Sequence, residues 1–186
     1  MTSLAKNLRA FLRAEEDWDA VSRGALIAWL VFYGLFLLHA WADEDGFLLL
    51  DNVNLVVHEG GHLLFRWFGA TLTLYGGTLL QFLVPLALGV YFFRERKTTA
   101  VAFTAFWLFE NCLYTSVYLG DARAQVLPLV TVGDPGAGGH DWFQILARWG
   151  LLRYDTTLAA MVRAVGWLGL LAVPAWLIHR QRRQIG

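Results

Sequence analysis

Long apolar blocks alternate along the chain with short stretches that carry most of its charges. The first block, residues 24–42, reads GALIAWLVFYGLFLLHAWA, and as a helix its 19 residues would cover about 28 Å, enough to cross the hydrocarbon core of a bilayer. Further apolar blocks occupy residues 79–93, 98–119 and 158–178. The pattern therefore predicts an all-α, polytopic integral membrane protein, a helical bundle with four clear spans.

A fifth apolar segment, residues 47–68, differs from these blocks because polar and charged residues interrupt it. Lipid does not tolerate so many polar groups, so their side of the predicted helix must face protein or a cavity. The interrupting residues are Asp51, Asn52, Asn54, His58, Glu59, His62 and Arg66.

Basic residues form three clusters along the chain. By the positive-inside rule all three belong to the cytoplasmic side, which places both termini in the cytoplasm of what we expect to be a bacterial inner membrane. The polar-faced helix must then begin on the outer side, and the chain must be on that side again after it. It is either a re-entrant helix or a full span followed by a short segment that returns to the outer side. The clusters are Lys6, Arg9, Arg13 and Arg23, then Arg94, Arg96 and Lys97, then Arg180, Arg182 and Arg183.

The remaining segments complete a single transmembrane domain over residues 1–186. Residues 1–22 mix apolar and charged side chains and predict an amphipathic helix at the membrane interface. Residues 120–155 predict an extramembrane loop rich in Gly and Pro, followed by an amphipathic stretch.

Composition agrees with a bilayer as the main environment of the chain. Hydrophobic residues make up 57% and charged residues 16%, whereas soluble proteins carry about 25% charge. The formal net charge is zero, which argues against nucleic acid as a partner. With Cys112 as its single cysteine, the chain can form neither an intrachain disulfide nor a CxxC zinc motif.

The polar-faced segment contains the sequence His58-Glu59-Gly60-Gly61-His62. Residues four apart lie on one face of a helix, so the two imidazoles can bind one ion. The intervening glutamate then lies where a general base for a metal-bound water is needed. The pattern predicts a Zn2+ site with His58 and His62 as ligands and Glu59 as the catalytic base.

A catalytic zinc normally has three protein ligands and an open position for water. Our preferred third ligand is His140, in a Gly-rich loop on the same side as the motif. Asp121 is the alternative ligand. Asp141 is a further candidate, either as a ligand or as an acceptor for the second ring nitrogen of a ligand. Glu110 and Asn111, inside a predicted span, are candidates for orienting a ligand or the substrate.

The motif and the residues after it resemble the intramembrane zinc metalloproteases of the site-2 protease type, which carry HExGH followed by a Gly-rich stretch. The resemblance implies a membrane-embedded protease with His58 and His62 as ligands and Glu59 as base. The third ligand of that family is an aspartate in an Asn-Pro-Asp-Gly or Leu-Asp-Gly motif on a later span. This chain lacks that motif; Gly120-Asp121-Ala122 is the nearest match. The site of that family usually faces the cytoplasm, whereas the basic clusters here place it outside. The residues that carry the resemblance are His58 to His62, Arg66, Phe68-Gly69, Tyr75-Gly76-Gly77, Gln81 and Pro85.

These features predict a zinc-dependent metalloprotease that hydrolyses peptide bonds of a membrane protein or peptide, at or within the membrane. Two alternatives stay open at this point. One is a non-proteolytic membrane protein that uses zinc for structure, sensing or transport, and the other is a zinc hydrolase that acts on lipid.

Overall fold

The computed structural model describes residues 18–43, 46–128 and 139–184, and over these ranges it contains helices and turns but no strands. The all-α prediction is confirmed. Short 3-10 turns at Arg66–Phe68 and Leu152–Tyr154 precede the third and sixth helices. The helices are α1 Arg23–Ala42, α2 Asp51–Phe65, α3 Ala70–Arg94, α4 Thr98–Gly120, α5 Asp141–Arg148 and α6 Asp155–Arg183.

Three helical segments are long and apolar enough to cross a membrane: α1, α3 and Leu152–Arg183. The fourth predicted span corresponds to α4, which has 23 residues. Its length suffices for a bilayer, but Glu110 and Asn111 make it more polar than the other three. A membrane-spanning role of α4 therefore stays a prediction. α4 lies at the centre of the bundle, where Phe106 and Leu113 pack against residues of α1 and α6.

The start of α1, the turn between α3 and α4, and the end of α6 meet at one end of the bundle. Lys97 Nζ lies 3.0 Å from Asp19 Oδ2, and the Asp19 N–H donates to the carbonyl of Arg96. The Val21 N–H donates to Gln184 Oε1 at 2.8 Å. Basic residues from all three predicted clusters lie in or beside these segments, which we call the basic end (residues 19–23, 94–98 and 180–184). The predicted interfacial helix of residues 1–22 falls mostly outside the described residues.

The motif helix α2 starts inside the bundle and runs away from the basic end. Leu48, just before it, is buried in the core, and its N–H donates to Asp51 Oδ2 at 2.6 Å. Asn54 Nδ2 donates to Glu110 Oε2 of α4 at 2.7 Å. The 15 residues of α2 cover about 22 Å, which is too short for a span. Of the two arrangements that the sequence allowed, this length fits the re-entrant helix, whose place in the membrane stays a prediction.

α2 and α3 form an antiparallel pair that is held close by glycines. Residues 70–78, which lie before the apolar block of residues 79–93, form the first turns of α3. A Cβ on Gly76 would lie 2.7 Å from the carbonyl oxygen of Gly61, so only glycine permits this approach. Helical glycine costs about 1 kcal/mol relative to alanine, and here the close packing of two helices offsets that cost.

Candidate metal centre

His58 and His62 present their rings on the same face of α2, with ring centroids 4.8 Å apart. Glu59 lies beside them, and the possible ligand atoms of these three residues are all within 4.8 Å of one another. The helix therefore brings its two imidazoles and its carboxylate close enough together that they could hold a metal ion.

Each imidazole is oriented through its Nδ1 atom. His62 Nδ1 lies 2.8 Å from the carbonyl oxygen of Thr73. Because a carbonyl only accepts, Nδ1 carries a proton, so the lone pair of the neutral ring is on Nε2. His58 Nδ1 lies 2.7 Å from Gln81 Oε1, while Gln81 Nε2 donates to Thr115 Oγ1 at 2.7 Å. His58 therefore has the same tautomer, with the Nε2 lone pair free for a metal.

Asp141, the first residue of α5, adds a carboxylate beside the two imidazoles. Its Oδ2 atom lies 3.0 Å from His58 Nε2 and 3.1 Å from His62 Nε2. A nitrogen lone pair that faces a carboxylate oxygen is repelled unless a positive charge lies between them. Burial lowers the pKa of His62, but the hydrogen bond to Asp141 and its charge raise it by more. A proton on each ring would satisfy both contacts, and so would one cation bound between the three atoms.

The two distances from Asp141 Oδ2 are also compatible with a metal. Zinc binds imidazole nitrogen and carboxylate oxygen at about 2.0–2.2 Å, so tetrahedral ligands lie about 3.3–3.5 Å from one another. The observed separations of 3.0 and 3.1 Å need to widen by only a few tenths of an ångström. The donors are two neutral imidazoles and one carboxylate, a set that suits Zn2+.

His140, our preferred third ligand, points elsewhere. It is the N-cap of α5, and its Nδ1 accepts the N–H of Phe143 at 3.3 Å. Its Nε2 faces Asp121 Oδ2 at 3.3 Å, although out of line for a hydrogen bond. Burial lowers the pKa of His140 by more than Asp121 raises it, which favours the neutral imidazole. Both ring nitrogens are thus directed away from His58 and His62.

Asp121, the alternative third ligand, is also committed to other partners. Its carboxylate accepts the N–H groups of Val126 and Leu127 at 2.9 and 3.1 Å. These bonds stabilise the turn after α4, and Asp121 Oδ2 faces His140 Nε2. The residue that the structure brings to the two imidazoles is therefore Asp141, one position after the histidine that the sequence favoured.

Of the two candidates inside α4, Glu110 supports the motif helix away from the imidazoles, and Asn111 bonds to its own helix. Asn54 donates to Glu110 Oε2 and accepts from Trp107 Nε1 at 2.7 Å. Asn111 Nδ2 donates to the carbonyl of Trp107. The bonds of Asn54 to Glu110 and Trp107 anchor the buried start of α2 on α4, whereas the Asn111 bond lies within α4.

Sequence reasoning gave no role to several residues that hold the site together. Gln81 was noticed only as part of the resemblance, although a lone amide in an apolar span is itself a signal of function. Tyr118 Oη accepts the N–H of Asp141 at 3.0 Å, and its ring lies 4.3 Å from that of His140. Gly77 makes room for His58, because a Cβ there would come within 2.6 Å of the imidazole Cδ2. None of these contacts follows from local sequence alone.

Comparisons with protein-family models, with curated proteins and with solved structures found no match. The resemblance to the site-2 protease type therefore stays a prediction carried by the motif residues.

Proposed function

We propose that this protein is a membrane-embedded zinc metalloprotease that hydrolyses peptide bonds at the membrane. His58, His62 and Asp141 would hold Zn2+, and Glu59 would act as the general base. The observation that carries the proposal is the position of Asp141 Oδ2, within 3.1 Å of the Nε2 atoms of both motif histidines.

When bound, Zn2+ lowers the pKa of a coordinated water toward about 7 and polarises a peptide carbonyl. Glu59 accepts the proton of the attacking water and later returns it to the leaving amine. Gln81 and Thr73 hold the imidazoles with their Nε2 lone pairs toward the centre. Tyr118 fixes the backbone of Asp141 and so the position of its carboxylate.

The centre is open to a substrate on the side of Glu59. Glu59 and Gly60 are half-buried, whereas His58 is buried. A Cβ on Gly60 would meet only Leu80 Cδ2, at 4.0 Å. An extended peptide can therefore approach over Gly60 and bring a carbonyl to the base.

We place the basic end in the cytoplasm of a bacterial inner membrane, which puts the candidate centre on the outer side. This orientation is supported by the grouping of the basic clusters at one end of the bundle. The partners implied are the lipid bilayer and a membrane protein or peptide as substrate.

Glu59→Gln tests the proposal against its alternatives. In proteoliposomes it should keep zinc, by elemental analysis, but lose hydrolysis of a membrane-anchored fluorogenic peptide by about 100-fold or more. Glu95→Gln, an exposed carboxylate at the basic end, is the matched control and should keep full activity. Glu59-dependent release of fatty acid from the vesicles, with no peptide cleaved, would indicate the lipid hydrolase. Zinc binding without any hydrolysis would indicate the non-proteolytic protein.

A further inference from the structure

The height of the candidate centre along the bundle can be measured from the basic end on two helices. Gly77, which contacts His58, lies 17 positions before Arg94 on α3. Thr115, which accepts from Gln81, lies 17 positions after Thr98 on α4. At a rise of 1.5 Å per residue each interval is about 25 Å. Both helices therefore place the centre far from the basic end.

Arg66 is exposed within about one helical turn of the centre, because it follows His62 by four positions. A guanidinium stays charged at any relevant pH and is costly in hydrocarbon, so an exposed arginine on a bundle in lipid reaches the headgroups. The headgroup layer must therefore meet α2 close to its second histidine.

Arg163, on the opposite side of the bundle, indicates the same height for the headgroup layer. α4 and α6 pack antiparallel, with Gly120 against Ala159 and Gly166 against Cys112. Arg163 lies between these two contacts on α6, as Thr115 does between them on α4. Arg163 is exposed, so the headgroup layer also reaches the bundle at the height of the hydrogen bond between Gln81 and Thr115.

A charge-free belt lies between this level and the basic end. Residues 70–93 of α3 and 164–179 of α6 contain no Asp, Glu, Lys or Arg. From Arg163 to Arg180 the rise is about 25 Å, close to the hydrocarbon thickness of about 30 Å once both side chains extend toward water. At the same end as the centre, Trp67 and Trp149 are 82% and 61% exposed, as in an interfacial aromatic belt.

We infer that the substrate is a membrane-anchored polypeptide whose scissile bond lies at the membrane surface opposite the basic end, beside its anchor rather than in the hydrocarbon centre. The inference rests on the proposed function and names its substrate class. Water is abundant at headgroup height, and a juxtamembrane segment can be extended. Hydrolysis there consumes one water, breaks the C–N bond and leaves a carboxylate and an amine.

The height of the centre is tested without any assay of activity. Leu72 and Leu86 are both exposed on α3, at 41% and 49%, and their separation of 14 positions corresponds to about 21 Å. In phosphatidylcholine–phosphatidylglycerol vesicles, with a sulfonated maleimide on both sides, Leu72→Cys should react at least tenfold faster than Leu86→Cys. Wild type, whose only cysteine is buried, gives the background, and both variants should react equally in SDS. Equally slow labelling of both in vesicles would place the centre in hydrocarbon and overturn the inference.

The substrate class is tested with two anchored peptides of the same cleavable sequence. In one the scissile bond lies a few residues outside the anchor, and in the other it lies near the middle of the anchor. Wild type should cleave the first at least tenfold faster, and Glu59→Gln should cleave neither. Preference for the buried bond would overturn the inference but leave the proposed function standing. If zinc-loaded wild type cleaves neither peptide, the proposed function is contradicted, and so is the substrate class inferred from it. The labelling experiment would still give the height of the candidate centre in the membrane.

Discussion

Asp141 Oδ2 lies 3.0 Å from His58 Nε2, although 83 positions separate the two residues in the chain. The contact joins the start of a short surface helix to the motif helix and brings a carboxylate to two lone-pair nitrogens. With Asp141, the two histidines of the motif become a group of three possible metal donors. The residues that hold these side chains in place can be tested by substitution.

Gln81 orients His58, so its loss should weaken the metal centre. Gln81→Leu removes the acceptor for His58 Nδ1 and should lower zinc affinity about 10- to 100-fold. Gln81→Glu keeps an acceptor and should lose less. Competition with a fluorescent zinc chelator measures both constants. Equal affinities of Gln81→Leu and wild type would show that the amide has no part in orienting the ligand.

Tyr118 should matter through its hydroxyl rather than its ring. Tyr118→Phe removes the acceptor for the Asp141 N–H but keeps the ring beside His140, so zinc affinity should fall about tenfold while the helix content stays unchanged by circular dichroism. Tyr114→Phe, one turn earlier on the same helix, is the control and should bind zinc like wild type. A similar loss in both variants would assign the effect to general packing.

Gly77 should not tolerate a side chain. The Cβ of Gly77→Ala would overlap the His58 ring, so α3 must move, at a cost of about 1–3 kcal/mol, and His58 must leave its position. We expect loss of zinc and a lower unfolding temperature in detergent. Gly34→Ala on α1 meets nothing within 4 Å and should be neutral or slightly stabilising. If Gly77→Ala kept its zinc and stability, the close packing of α2 on α3 would be incorrect.

Much of the architecture could be predicted from the sequence, because a helix that can cross a bilayer needs about 20 mostly apolar residues in a row. Apolar blocks gave α1, α3 and α6, and the four-residue spacing gave His58 and His62. The apolar block of residues 79–93 predicted only the later turns of α3, because the residues before it include the adjacent glycines Gly76 and Gly77. Only their packing against Gly61 and His58 explains them as helix.

The carboxylate that faces the two imidazoles could not be predicted, because it depends on the residue at which α5 begins. Successive helical residues point about 100° apart, so neighbours in the sequence face different partners. As the N-cap, His140 turns back to bond the N–H of Phe143, and Asp141 faces the imidazoles instead. From the sequence we preferred His140, with Asp121 as the alternative and Asp141 as a further candidate, because the local sequence does not show which of these side chains faces the motif.

The zinc content of Asp141→Ala and His140→Ala, purified side by side with wild type, tests the central claim most directly. Elemental analysis should give one zinc per chain for wild type and His140→Ala. Asp141→Ala should have lost the metal after dialysis against a chelator that leaves wild type loaded. Full zinc in Asp141→Ala, together with its loss in His140→Ala, would contradict the centre described here.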